Sequence, residues 1–146
     1  NVVGIFKNQI MQGKPMTIFG DGEQTRAFSH IADVAPVIAR AIDLPEARNE
    51  IFNIGADKPY TLNQLAVAVA NAFETEPKVR YLEARNEARE AYADHSKVEH
   101  IMQVGSAIPL EEGLRRFATW VREQGPRKSK DFTDIEIPIN LPPSWR

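Results

Sequence analysis

The stretch that decides the fold is residues 12–35, QGKPMTIFGDGEQTRAFSHIADVA. Residues 15–19 hold Met16-Thr17-Ile18-Phe19, apolar and partly β-branched, and read as a short strand. Gly20-Asp21-Gly22 follows as a tight turn, because glycine takes positive φ without a steric penalty. A second strand is expected over 25–31. A helix then runs over 33–44, with Val34, Val37, Ile38, Ala41 and Ile42 on one face. Pro36 falls in its first turn, where a missing N–H has no intrahelical acceptor to lose.

Outward from this stretch the alternation continues. Ahead of it, Val2, Val3, Phe6, Ile10 and Met11 mark one face of a helix that Gly13 ends. Behind it, 50–54 is a short apolar strand stopped by Gly55. Thr61-Leu62-Asn63-Gln64 is a capping box, with the Thr61 hydroxyl taking the N–H of residue 64 and the Gln64 side chain reaching back. Leu62, Leu65, Ala66, Val69 and Phe73 then form the buried stripe of a helix. Residues 79–82 read as a strand, 83–91 as a charged loop or frayed helix, and 96–102 as a short helix. Pro109 suits the first position of a last long helix, with Glu111 and Glu112 at its positive end and Leu110, Leu114, Phe117 and Val121 facing inward. After Gly125 the periodicity stops, and prolines at 138, 142 and 143 make 127–146 an extended tail. The expectation is an α/β fold (α+β as an isolated piece), helices packed on short strands, with one domain over 1–126.

Composition narrows the function classes. The 146 residues suffice for one domain with a core, and the 42% hydrophobic and 26% charged fractions are those of a globular protein. A net charge of -2 gives no reason to expect nucleic acid or an anionic membrane as partner. No stretch approaches the roughly 20 apolar residues that span a bilayer. The absence of cysteine removes disulfide and thiolate chemistry and fits a cytoplasmic location. His30, His95 and His100 lack the spacing and acidic company of a metal site, so no metal is expected and all three are read as structural or surface groups. The chain opens on Asn1-Val2-Val3-Gly4, with neither an initiator Met nor the build of a signal peptide, and is expected to be cut from something longer.

Residues 12–35 resemble the substrate-domain pattern G-x-P-x-x-I-x-G-x-G-x-Q-x-R-D-F of the extended short-chain dehydrogenase/reductase family, the NAD-dependent sugar-nucleotide epimerases and dehydratases. Three more segments arrive in that family's order: Phe52-Asn53-Ile54-Gly55, then Ala93-Asp94-His95-Ser96-Lys97, then Leu110-Glu111-Glu112-Gly113-Leu114 leading to Trp120. The resemblance covers 1–124 and is nearest to the UDP-glucose 4-epimerase-like branch. Ala27 and Ala32 stand where the family has aspartates, which weakens any role of those carboxylates in orienting the neighbouring arginine.

The resemblance implies a set of ligand-binding residues. Arginine's planar fork suits a pyrophosphate and stays charged at any working pH. Arg26 matches the family arginine on the pyrophosphate, and Arg85 resembles the second, with Arg89 as its competitor. Thr17 and Phe19 match the strand that lines the base pocket, and strand alternation turns both to one side. As an aromatic on a short strand, Phe19 is equally readable as core. Asn1 resembles an asparagine that bonds the diphosphate or sugar, and Glu87 is a candidate for a sugar hydroxyl. Asp94 and Lys97 match a family signature, but Asp94 is read as a helix cap.

The family's chemistry, hydride transfer to NAD assisted by a tyrosine and a lysine four residues on, is missing from this chain. Four residues beyond Tyr60, Tyr81 and Tyr92 lie Gln64, Arg85 and Ser96. Gly20-Asp21-Gly22 has no third glycine and precedes a strand, so it is a turn and not a dinucleotide loop. No catalytic residue and no cofactor is therefore assigned to the chain, and NAD is implied for the full-length enzyme only. The expected partners are a nucleoside-diphosphate sugar and the missing NAD-binding Rossmann domain. Without that domain the 50–54 strand and a helix face stand uncovered, so a homo-oligomer is expected. The competing reading is a stand-alone binding or self-association module with no enzymatic role.

Overall fold

The computed structural model describes residues 2–125. Asn1 and the tail lie outside the described residues. The elements in chain order are α1 (Val2–Met11), β1 (Met16–Phe19), β2 (Thr25–Ala27), α2 (Ile31–Arg40), β3 (Pro59–Thr61), α3 (Leu62–Ala72), β4 (Val79–Leu82), β5 (Glu90–Ala91), α4 (Ser96–Met102) and α5 (Leu110–Gln124). They form two small sheets. β1 pairs with β4 in parallel, Met16 opposite Val79 and Phe19 opposite Leu82. β2 pairs antiparallel with β3 and parallel with β5. Mixed helix and strand is the fold class that the sequence led us to expect.

The main core lies where α1, β1, α3 and α5 meet. Phe6, Met16, Ile18, Leu65, Val69, Leu110 and Leu114 form it, and Phe6, Leu65 and Val69 are wholly buried. Each fully buried side chain of this kind contributes roughly 1.5–3 kcal/mol over its exposed state. α3 is anchored by the expected capping box: Gln64 N–H donates to Thr61 Oγ1 at 3.1 Å, and Thr61 N–H donates to Gln64 Oε1 at 2.9 Å. A second cluster, Val37, Val98 and Met102, joins α2 to α4. Asp94 accepts the Ser96 N–H at 2.9 Å ahead of α4. Backbone and then side-chain hydrogen bonds from Ser96 lower its carboxyl from the ordinary 3.8.

Several expectations are corrected. The strand expected over 25–31 stops at Ala27, because the His30 imidazole accepts the Ala32 N–H at 3.1 Å and starts α2 early. Pro36 consequently lies in the second turn, where it leaves the Ala32 carbonyl without its helical donor. The expected strand over 50–54 is not formed: it has no partner strand among the described residues, and a strand needs a neighbour to bond its backbone. The charged 83–91 loop ends in the short strand β5. Pro109 is the N-cap of α5 and not its first helical residue, and the buried stripe runs through Ala118, with Phe117 half-buried. Among the described residues no helix is long and apolar enough to cross a membrane.

Candidate functional site

Strand β1 alternates as its sequence requires: Met16 and Ile18 enter the core, while Thr17 and Phe19 share the opposite, half-buried face. Thr17 is held on both sides by Gln9 of α1. The Gln9 amide nitrogen donates to Thr17 Oγ1 at 2.8 Å, and Thr17 N–H donates to Gln9 Oε1 at 3.0 Å. The Arg85 guanidinium carbon lies over the Phe19 ring, 3.3 Å from its centroid. Phe19 is thus a half-buried wall with a cation stacked on it.

Arg26 sits on β2 with every hydrogen bond directed inward. Nη1 donates to the Thr25 carbonyl at 2.7 Å and to the Arg89 carbonyl at 3.4 Å, and Nη2 meets Glu87 Oε2 at 2.9 Å. The side chains of this pair are 24% and 39% exposed, so the charges face each other at the protein boundary. The other oxygen of Glu87 accepts from the Gln24 amide at 3.1 Å, and the same amide donates to the Phe19 carbonyl at 2.8 Å. A chain of bonds therefore runs from Phe19 through Gln24 and Glu87 to Arg26. The 83–91 loop is fixed to β2 by the Thr25 N–H donated to the Arg89 carbonyl at 2.8 Å.

Of the residues singled out from sequence, Phe19, Arg26, Arg85 and Glu87 come together, with Thr17 on the same strand face as Phe19. Asn1 lies outside the described residues. Arg89 is exposed and turned toward Asp21, 3.9 Å away. Sequence reading missed Gln24 and Gln9. Gln24 had a signal: it stands two residues before Arg26 inside the quoted motif, a spacing that turns both to one side of an extended chain. Gln9 had none, since nothing in a helical pattern says which strand an amide will reach.

Two other features bound what the arrangement can do. A cleft of about 790 Å³ opens between α1, the end of β2 and α5, lined by Val3, Phe28, Ile31, Leu114, Phe117 and Trp120, and Arg26 and Glu87 are not among its walls. Volume alone does not make it the site, because its walls are chiefly apolar and it takes in none of the stacked or paired charges described above. His95 is buried, with Nδ1 2.6 Å from Asp57 Oδ1, so it is tied into the fold. Among the described residues no group of three or more His, Cys, Asp or Glu is placed to hold a metal ion.

A family model described as the NAD dependent epimerase/dehydratase family matches residues 1–55. The UDP-glucuronate 4-epimerase of Thermodesulfobacterium geofontis is 32% identical over 120 residues, covering 81% of this chain and 36% of that protein. The chain belongs to the NAD-dependent epimerase/dehydratase family. Its fold is the corresponding part of the extended short-chain dehydrogenase/reductase fold. The UDP-glucose 4-epimerase of Thermotoga maritima, solved with UDP-glucose, superposes with a TM-score of 0.78 at 29% identity, over 85% of this chain and 40% of that one. The UDP-N-acetylglucosamine 4-epimerase of Methanobrevibacter ruminantium gives 0.78 at 27% identity, over 86% and 40%. The chain thus spans well under half the length of these relatives.

The family's cofactor can be set against the residues present. A dinucleotide needs a glycine-rich turn leading into a helix, with backbone open to the pyrophosphate. Here the Gly20–Gly22 turn leads into β2, and the space above Gly22 is filled by Asn63, whose Cγ lies 2.6 Å from where a Cβ would stand. That turn therefore does not fit the pyrophosphate of NAD.

Proposed function

We propose that this chain is the nucleotide-sugar-binding part of a UDP-sugar epimerase or dehydratase and does no chemistry alone. The observation that carries this reading is the bonded chain from Phe19 through Gln24 and Glu87 to Arg26, with Arg85 stacked at one end. It puts an aromatic wall and a fixed guanidinium within one connected cluster, which are the parts a nucleoside diphosphate needs. In this reading Arg26 takes the pyrophosphate and Arg85 supports it. Thr17 and Phe19 line the base, while Asn1 and Glu87 reach the diphosphate and sugar hydroxyls. NAD and the catalytic tyrosine and lysine of the whole enzyme are held outside this chain. The relatives named for UDP-sugar epimerisation support the substrate class.

Calorimetric titration of the full chain with UDP, UDP-glucose and NAD tests the reading. UDP and UDP-glucose are expected to bind, NAD is not, and Arg26→Ala is expected to remove the signal. Binding of NAD, or UDP binding untouched by Arg26→Ala, overturns it.

The reading includes self-association of this chain. Ile31, Ile38, Ile42 and Ile51 are all more than half exposed, Ile42 at 87% and Ile51 at 85%, and the 50–54 segment pairs with no strand among the described residues. Apolar side chains beside backbone that no strand pairs favour association with a second copy. Light scattering that shows a monomer at every concentration refutes this part.

A further inference from the structure

Arg26 already has an anion. Glu87 Oε2 stands 2.9 Å from Nη2, and the remaining hydrogen bonds of the guanidinium go to the carbonyls of Thr25 and Arg89. A pyrophosphate arriving at this arginine meets a carboxylate in place. Two like charges on one guanidinium repel, so one must leave. Glu87 is not free to drift, because the Gln24 amide holds its other oxygen at 3.1 Å. Gln24 is itself only 7% exposed and tied to the Phe19 carbonyl. Its own carbonyl, Oε1, is buried with no hydrogen-bond partner among the described residues. An orphaned buried acceptor is costly and is seldom retained without a reason. Here the amide is oriented by its two acceptors, and the orphaned oxygen follows from that orientation.

We propose that Glu87 is the competing anion of the Arg26 site and that Gln24 is its positioning residue, so that together they set the affinity for pyrophosphate. The inference rests on the reading of Arg26 as the pyrophosphate arginine. It adds that the empty site is held shut by its own carboxylate. On ligand entry Glu87 leaves Arg26 and becomes free to accept a hydroxyl. A ligand that offers both a diphosphate and a hydroxyl compensates for the lost pair. Inorganic pyrophosphate, which carries no hydroxyl donor in that place, bears the whole cost of displacement.

The test titrates the full chain with inorganic pyrophosphate and with UDP, in the parent and in the Glu87→Gln, Gln24→Met, doubly substituted and Arg26→Ala forms. Removing the competing charge is expected to tighten pyrophosphate by about fivefold, the upper scale of a partly exposed charge pair. Gln24→Met is expected to tighten it by roughly threefold and to add nothing once Glu87 is neutral, since residues acting through one group are not additive. A merely structural role for Gln24 would weaken binding in both backgrounds. Glu87 lies in an exposed loop, so the Glu87→Gln arm decides the matter alone if Gln24→Met fails to fold. Unchanged or weaker pyrophosphate binding in Glu87→Gln, with binding still lost in Arg26→Ala, overturns this proposal and leaves the functional reading intact. Binding that ignores Arg26→Ala, or no binding in the parent and Glu87→Gln alike, overturns both.

Discussion

Replacing Gly22 by alanine is expected to destabilise the fold for two separable reasons. Gly22 has φ of +78°, a region that costs an L-residue roughly 1–2 kcal/mol. An added Cβ would also meet the Asn63 side chain, 2.6 Å from Cγ and 2.8 Å from Nδ2. Asn63 cannot yield freely. It donates to the Asp21 carbonyl at 3.0 Å and to Glu23 Oε1 at 2.6 Å, and it accepts from the Tyr81 hydroxyl at 2.9 Å. These bonds are exposed, so losing two of them costs about 1 kcal/mol. The sum, about 2–3 kcal/mol, corresponds to a fall in Tm of roughly 6–12 °C for a domain of this size. Thermal unfolding followed by circular dichroism measures it. The decisive comparison repeats the change in an Asn63→Ala background, where only the backbone part remains and the penalty drops by about 1 kcal/mol. An equal penalty in both backgrounds refutes the clash argument, and a penalty under about 0.5 kcal/mol refutes the backbone argument as well.

Two further outcomes follow from the helix ends. Thr61→Ala removes one half of the capping box and is expected to cost about 1 kcal/mol in urea unfolding, with the m-value unchanged. Asp94 has a lowered carboxyl, so its contribution is complete at neutral pH and is lost as pH falls below 3.8 through its folded-state value. Asp94→Asn keeps an acceptor for the Ser96 N–H but cannot titrate. The parent should therefore exceed this variant in stability at neutral pH, with the difference shrinking as pH falls through the folded-state value of Asp94, and a difference independent of pH would contradict the assignment.

The elements legible in the sequence are those whose signals are local. The α3 cap needs only Thr61 and Gln64 three residues apart, and the 79–82 strand and 96–102 helix carry their own patterns within their bounds. What was not legible depends on partners distant in sequence. Ile51 to Ile54 has strand composition, but composition cannot supply the neighbouring strand that makes it one. His30 reads as a surface or structural group until its ring is seen to cap α2, which moves Pro36 from the first turn to the second. At the site, Arg26 and Phe19 were visible because they stand in one motif. The pairing of Glu87 with Arg26, and of Arg85 with Phe19, joins positions more than sixty residues apart, and no short spacing announces it. Gln24 was overlooked because an amide between Glu23 and Thr25 looks like surface until its acceptors are known.

The parallel pairing of β1 with β4 has a consequence for the order of folding. Parallel neighbours cannot be joined by a tight turn, and here β2, α2, β3 and α3 intervene before β4 arrives beside β1. Contacts so far apart in sequence form late, because the loop-closure entropy must be met before they return anything. The cap of α3 closes over three residues and needs no such loop closure, while the 83–91 loop has no place to lie until β4 is home. The Arg85–Phe19 stack and the Glu87–Arg26 pair are therefore among the last contacts to form, and the nucleotide binding proposed above should report the final kinetic phase of refolding, after helix content has returned.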